Sequence, residues 1–309
     1  MLPSLPQLRY FLAVADEGQF TRAAEHLSVA QPSVSAQIRR LEALLGTELF
    51  HRGPGPVTLT DAGITLLPIA RRIVADLVSI DDEIAGLDEL LRGQVAVGAT
   101  PSLSATLLPS VLGRFHRQHP GVVIRVSEQG SPQLLEALLA GTLDLALAIA
   151  PVASKGLTSV PLAEEELVVV TTPDHPVATG PSVSVAELAE HPLVMFRPGY
   201  DLRTATIEAF AEHGVEPTVA VEGGEMGSVL ALVAAGLGAA VVPGIVTTGT
   251  EHLRVTRFRR PAPTRTIALV CRADRALSRA AEALTTAFTE GIASDGWPGP
   301  MPQGMRLLR

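Results

Sequence analysis

A chain of 309 residues is long enough for about two domains, and 47% hydrophobic with 18% charged residues excludes global disorder, while 27 glycines and 24 prolines exclude collagen-like and low-complexity classes. A single cysteine, Cys271, cannot close an internal disulfide, and no CxxC pair or Cys/His zinc spacing is present, which fits a reducing compartment and implies neither metal nor cofactor. The net charge of −8 argues by itself against nucleic-acid binding. Its distribution qualifies that: residues 1–60 carry five arginines and five acids, residues 61–92 three arginines and seven acids, and Lys155 is the only lysine.

The N-terminus, MLPSLPQLRYFLAVADEGQF, lacks the basic start and apolar run of a secretory signal. Leu5, Leu8, Phe11, Leu12 and Ala15 recur at helical spacing, and Glu17-Gly18-Gln19 breaks the run. Thr21 is placed to cap a second helix, TRAAEHL, with Ala23, Ala24 and Leu27 on its apolar face. After the turn Ser28-Val29-Ala30, a third helix is predicted from Gln31 to Leu45. Pro32 lies in its first turn, its buried stripe is Val34, Ile38, Leu41 and Leu45, and Gly46 stops it. Two short helices joined so tightly suggest a helix-turn-helix. Gly53-Pro54-Gly55-Pro56 then turns between two short extended runs, as a wing would. Thr60 caps a long helix in which Leu66, Ala70, Ile73, Leu77, Ile80, Ile84, Leu87 and Leu91 alternate in steps of four and three. That heptad pattern predicts a seam with a partner helix, with Pro68 kinking the first turns.

From residue 94 strands alternate with helices. Strands are predicted at QVAVGA, VVIRVSEQ and LDLALAI, with helices near 104–118 and 131–140, and a strand pair at 157–172. Further strands fall at PLVMF, TVAVEG, AAVVP and TIALVCR, with helices near 202–213, 226–235 and 276–290. The pattern predicts an α/β fold with two sheets. The longest uncharged stretch, Met226 to Thr250, is interrupted by glycines and Pro243, so it reads as helix, turn and strand and not as a membrane span. From Ser294 the Pro/Gly-rich tail reads as disordered. The whole reads as a soluble cytoplasmic protein.

The run QLRYFLAVADEGQFTRAAEHLSVAQPSVSAQIRRLEALLGTELFHR, followed by VTLTDAG, resembles the N-terminal module of the LysR-type transcriptional regulators. The matching elements are Ala23-Ala24, Gln31-Pro32, Ser35, Leu41-Glu42, Gly46, Leu49-Phe50, Arg52 and Leu59-Thr60. GQVAVGATPS, AGTLDLALA and LVAAGLGAAVVP continue the family's order. The resemblance implies a winged helix-turn-helix at 1–60, a dimerising linker helix at 61–92, and a two-lobed effector domain similar to periplasmic binding proteins at 93–292. Lobe I would be 93–163 plus 267–292 and lobe II 164–266, with a flexible tail at 293–309. It implies a DNA-binding regulator controlled by a small molecule, assembling as a dimer and then a homotetramer, and acting with RNA polymerase. The dimerising residues would be Leu66, Ala70, Ile73, Leu77, Ile80, Ile84 and Leu87.

In that frame the DNA-binding set is Arg22, Gln31, Pro32, Ser33, Ser35, Gln37, Arg39, Arg40 and Arg52. Gln31, Ser33 and Gln37 would lie near bases, and the arginines nearer phosphates or the minor groove. The alternative is a solvated polar face, with Arg40 paired to Glu42 or Glu25. Many relatives carry an arginine where this chain has Ala36, which offers a base only methyl contact. Effector contacts are expected where strands run into helix N-termini: Thr100, Ser102, Ser104, Gly130, Ser131, Tyr200, Arg203 and Met226. Ser102, Ser131 and Asp201 could equally be helix caps. Helix N-termini plus arginine point to a small organic anion, whereas Glu225 or Asp201 would receive an amine.

Two other function classes are weaker. A periplasmic-type solute-binding protein would carry a signal peptide and would have no use for Thr21–Glu42. For an enzyme, GLGAAV at 236–241 precedes a strand and so is no dinucleotide fingerprint, no GxSxG, Walker A or HExxH is present, and His116 and His119 lack a third ligand.

Overall fold

The computed structural model describes residues 2–51, 53, 56–85, 91–152, 154–247, 250, 252–295 and 304–308. Two compact units result, residues 1–89 with 136–143, and residues 90–135 with 144–309.

The first unit is built from α1 (Leu5–Glu17), α2 (Phe20–His26), α3 (Gln31–Leu45), β1 (Phe50–His51), β2 (Thr58–Leu59) and α4 (Asp61–Ala85). Gly46, at φ 71°, ends α3 in the left-handed conformation that a side chain disfavours. Leu8, Phe11, Val14, Ala23, Ala24, Val34, Ile38, Leu41, Leu49 and Phe50 form one core. Phe50 sits among aromatic neighbours, with ring centroids 5.3 Å from Phe11 and 5.9 Å from Phe20. The Glu42 carboxylate accepts from the Leu49 amide (3.0 Å), tying α3 to the start of the wing hairpin β1–β2. Thr60 caps α4: its hydroxyl accepts from the Gly63 amide at 3.1 Å and donates to the Glu48 carbonyl at 2.7 Å. Gly63 is required there, because a Cβ would overlap the Leu49 carbonyl oxygen.

Three expectations change. Thr21 does not cap α2, which begins at Phe20 with Gln19 before it. Leu45 is not in the buried stripe but exposed. Of the heptad residues, Ala70 is fully buried in its own unit's core and Leu66 packs against that core, so Ala70 has no surface for a partner helix. Ile73 and Leu77 are exposed. The side chains of Ile80 and Ile84, and all of Leu87, lie outside the described residues.

The second unit begins with β3 (Arg92–Ala99), α5 (Pro101–Ala105), α6 (Leu107–Gln118), β4 (Gly121–Glu128), α7 (Ser131–Leu139), β5 (Leu145–Ala150) and β6 (Leu157–Thr171). It continues with β7 (Ser182–Val183), α8 (Val185–Ala189), β8 (Pro192–Met195), α9 (Asp201–Glu212), β9 (Thr218–Glu222), α10 (Met226–Ala234) and β10 (Ala240–Pro243). It closes with β11 (Arg254–Phe258), β12 (Thr264–Arg272), α11 (Arg279–Asp295) and β13 (Met305–Leu307). The main sheet runs β4-β3-β5-β12-β6-β11-β7, with β10 and β13 also on β6, and β8-β9 form a second, parallel sheet.

β3, β4 and β5 are parallel, as expected for strands joined by helices. With α5, α6, the start of α7 and α11 they make one lobe; β7–β11 with α8–α10 make the other. In place of the strand pair expected at 157–172, a single 15-residue strand, β6, runs through. Its first part pairs with β12 and its last part with β10 and β11, so β6 and β12 link the lobes. One apolar core, from Val95 through Phe210 to Phe288, is continuous across both lobes.

The expected helix near 104–118 is divided at Thr106 into α5 and α6. The tail is not wholly irregular either. Residues 304–308 lay β13 along β6, with Met305 opposite Glu165 and Leu307 opposite Ala163. Arg306 pairs with Glu164 at 2.7 Å, and Met305 is buried.

Candidate DNA-contacting helix and effector cleft

Gln31, Pro32 and Ser33 are exposed at the start of α3, while Ser35, Ala36 and Gln37 are half-buried one turn on. The Gln31 amide donates to the Ser35 hydroxyl at 3.0 Å, so the two polar groups are already held side by side. Arg39 and Arg40 are exposed. Arg22 has a partner, Glu17 at 3.3 Å. Glu17 also takes His26 at 3.0 Å, and that hydrogen bond, ahead of the Arg22 charge, holds its carboxyl below the usual range. Arg52 lies outside the described residues.

The effector candidates gather at the carboxyl ends of β3, β4 and β5, where Ala99 stands beside both Glu128 and Leu147. Thr100 follows β3 and opens α5. It is 2% exposed, and its hydroxyl has no hydrogen-bond partner among the described residues. Ser102, equally buried, accepts at Oγ from Arg265 Nη2 at 3.0 Å. Arg265 is on β12 and binds the Glu165 carboxylate of β6, at 2.7 Å through Nε and 2.6 Å through Nη2. The second Glu165 oxygen accepts from the Ile245 amide of the other lobe (3.2 Å). This buried network thus joins α5, both linking strands and the second lobe, and its charges cancel.

Ser131 is the first residue of α7. Its hydroxyl accepts from the Ile149 amide (3.1 Å) and donates to Asp201 Oδ2 (2.8 Å), and the Ser131 amide faces the same oxygen at 3.3 Å. Asp201 belongs to α9, so this contact spans the lobes. Beside it a Cβ on Gly130 would stand 3.1 Å from the Gly199 carbonyl, tighter than an ordinary contact, so the lobes approach closely there.

Tyr200 stacks on Phe196 with centroids 4.6 Å apart, is 4% exposed, and its hydroxyl has no hydrogen-bond partner among the described residues. Burial, then the charge of Glu225, pushes that phenol well above its ordinary pKa, with Arg265 opposing. The charge of Glu128, from the first lobe, adds to the rise.

Thr100, Ser102, Gly130, Ser131 and Tyr200 are therefore brought together. Ser104 is half-buried one turn into α5, its amide bound to the Thr100 carbonyl. Two candidates are committed elsewhere. Arg203 pairs with Glu222 at 3.1 Å and donates to the Phe196 carbonyl at 3.0 Å, and Met226 packs against the apolar core. Ser131 and Asp201, each the first residue of its helix, meet each other. Sequence reasoning missed Arg265 and Glu165; the only signal was charge within strands, the run Glu164-Glu165-Glu166 in β6 and Arg265 near the start of β12.

No helix among the described residues is long and apolar enough to cross a membrane. Among known proteins, the "bacterial regulatory helix-turn-helix protein, lysR family" description matches residues 5–64, and the "LysR substrate binding domain" description matches residues 88–293. A probable hydrogen peroxide-inducible genes activator of Mycobacterium avium is 33% identical over 276 residues, covering 88% of this chain and 89% of that protein. A full-length, singly substituted OxyR from Pseudomonas aeruginosa superposes with a TM-score of 0.75 at 28% identity over 93% of this chain and 95% of that one. CbnR complexed with its target DNA gives 0.70 at 25% identity over 93% and 99%. With both modules matched in order along nearly its whole length, the chain belongs to the LysR family of bacterial helix-turn-helix transcriptional regulators.

Proposed function

We propose that α3 and the β1–β2 wing dock on double-stranded DNA, and that the cleft between the lobes takes a small-molecule effector that controls that binding. The observation that carries the second half is that two buried hydroxyls, Thr100 at the carboxyl end of β3 and Tyr200 at the start of α9, have no hydrogen-bond partner among the described residues. Buried polar groups are ordinarily hydrogen-bonded, so a ligand is the natural partner. Thr100, Ser102, Ser104, Gly130, Ser131 and Tyr200 would hold it. The first half rests on exposed Gln31, Ser33, Arg39 and Arg40 on a helix whose opposite face is core, and on the DNA complex of the relative CbnR. Modules at 1–60, 61–92 and 93–292 would divide these tasks. Exposed Ile73 and Leu77 would join two copies through α4, dimers would pair into a tetramer, and the complex would act on RNA polymerase in the cytoplasm. The role is regulatory and not enzymatic.

Several relatives are named for hydrogen peroxide-inducible genes. Here the single cysteine, Cys271, lies in β12 with its thiol pushed up by burial, and it has no second cysteine to pair with. An internal disulfide switch is therefore closed to this chain. Its effector is read by hydrogen bonds, and the Ser131 donors, which already hold a carboxylate, favour an organic anion.

The DNA reading is tested by selecting binding sites from a random library with the full-length protein and measuring affinity by fluorescence anisotropy. Gln31→Ala is expected to lose about 1–3 kcal/mol on the selected site and little on unrelated DNA. Arg39→Ala is expected to weaken both alike and to lower the salt slope by about one. No enriched sequence, or equal losses for the two variants on both DNAs, would sink the assignment. The effector reading is tested by thermal unfolding against a panel of organic anions, amino acids and aromatic compounds. A compound bound in the cleft raises the midpoint with its concentration, and Ser102→Ala is expected to abolish that rise; a hit that survives the substitution removes Ser102 from the site.

A further inference from the structure

We propose that Asp201 is a built-in occupant of the effector's anion seat: it latches the lobes across the cleft, and an anionic effector binds by displacing it from Ser131. The inference rests on the cleft being the effector site and concerns how that site is regulated.

Asp201 begins α9, where an aspartate would ordinarily interact with the N-terminus of its own helix. It instead reaches the first residue of α7 in the other lobe, and a single oxygen, Oδ2, meets both the amide and the hydroxyl of Ser131. Those are the donors a ligand carboxylate would use, and the start of a nine-residue helix adds a favourable field. The residue before Asp201, Tyr200, is buried with a hydroxyl that finds no hydrogen-bond partner among the described residues.

The charges in this lobe junction favour exchange over addition. Arg265 is neutralised by Glu165, Arg197 by Glu225 at 2.6 Å, and Arg203 by Glu222. No guanidinium among these three is left for an incoming anion. Two carboxylates on one serine would repel each other in a site shielded from water. Swapping one carboxylate for the other keeps the charge constant and frees α9 from α7. Displacement therefore couples ligand entry to release of the lobes, and the latch sets the affinity threshold by which a carboxylate is admitted.

Chemical rescue in the full-length protein tests this without knowing the effector. Thermal midpoints would be compared for wild type, Asp201→Ala and the double variant Ser131→Ala/Asp201→Ala. Each would be measured in sodium acetate and in acetamide at constant ionic strength. Asp201→Ala is expected to melt about 2–4 °C below wild type. Acetate at high concentration is expected to restore most of that loss, and acetamide to restore none. Wild type and the double variant should gain nothing specific from acetate. Asp201→Gly, which likewise vacates the seat, carries the same comparison if the alanine variant does not fold. Equal acetate gains in all three proteins, rescue by acetamide, or an unchanged Asp201→Ala midpoint would overturn the proposal. A panel carboxylate lost in Ser102→Ala but bound equally by wild type and Asp201→Ala would overturn the latch while leaving the cleft as the effector site. Silence in both experiments would remove latch and site together.

Discussion

Exchanging Arg265 for methionine is expected to destabilise the full-length protein by about 3–5 kcal/mol, measured by urea unfolding, because it leaves a buried carboxylate without its counter-charge. Glu165 is 1% exposed and Arg265 6%, and water cannot reach in to replace the lost partner. The Ile245 amide still donates to Glu165, but one hydrogen bond does not offset an uncompensated charge in this environment. The double variant Glu165→Leu/Arg265→Met is expected to recover most of the loss, since apolar replacement of both members of a buried pair is often close to neutral. A loss under about 1 kcal/mol in the single variant would mean that the pair is hydrated in solution, contrary to its burial here. The same double variant separates stability from signalling: Ser102 loses its Arg265 contact, so effector affinity is expected to fall even where the fold is restored.

The second large effect is expected in the DNA-contacting unit, where Phe50→Ala should cost about 3–5 kcal/mol. Phe50 is fully buried and its ring touches those of Phe11 and Phe20, so truncation opens a cavity between α1, α2 and the wing. A core this small has little reserve. The variant is expected to show a separate early transition on heating, to lose DNA binding at ordinary temperature, and to retain its response to effector. Phe50→Leu fills most of the volume and should keep binding. A single unaltered transition with DNA affinity intact would show that the aromatic cluster does not hold the unit together.

Much of this architecture is legible in the sequence. α3 runs from Gln31 to Leu45 as expected because its signals agree: proline in the first turn, apolar residues three and four apart, glycine at the end. The parallel strands are equally plain, being apolar runs with helices between them. β6 reads as two strands in the sequence because Pro161 and the acidic run Glu164-Glu165-Glu166 interrupt its apolar pattern. In the fold these are not breaks: Pro161 lies at an irregularity in the pairing with β12, and Glu165 is neutralised in the interior. Thr100, Ser102 and Ser131 are legible as candidates because a strand running into a helix N-terminus marks a position. Their partners are not legible. Glu165 and Arg265 are 100 residues apart, and Ser131 and Asp201 are 70 apart, so no local pattern joins them. The heptad seam misleads in part for a related reason: periodicity identifies the apolar face of α4 but not which neighbour covers it, and Ala70 is covered by its own unit.

The short strand at the end of the chain has a practical consequence. β13 lies on the flank of β6 opposite β12, accepting from the Glu166 amide through Gly304 and donating from Leu308 to the Leu162 carbonyl, each at 3.0 Å. A truncated protein ending with α11 would expose those backbone groups on a strand that runs through both lobes. A bare edge of this kind recruits strands from other molecules. Shortened versions made to isolate the effector domain would therefore tend to self-associate through β6 for reasons unrelated to the native assembly.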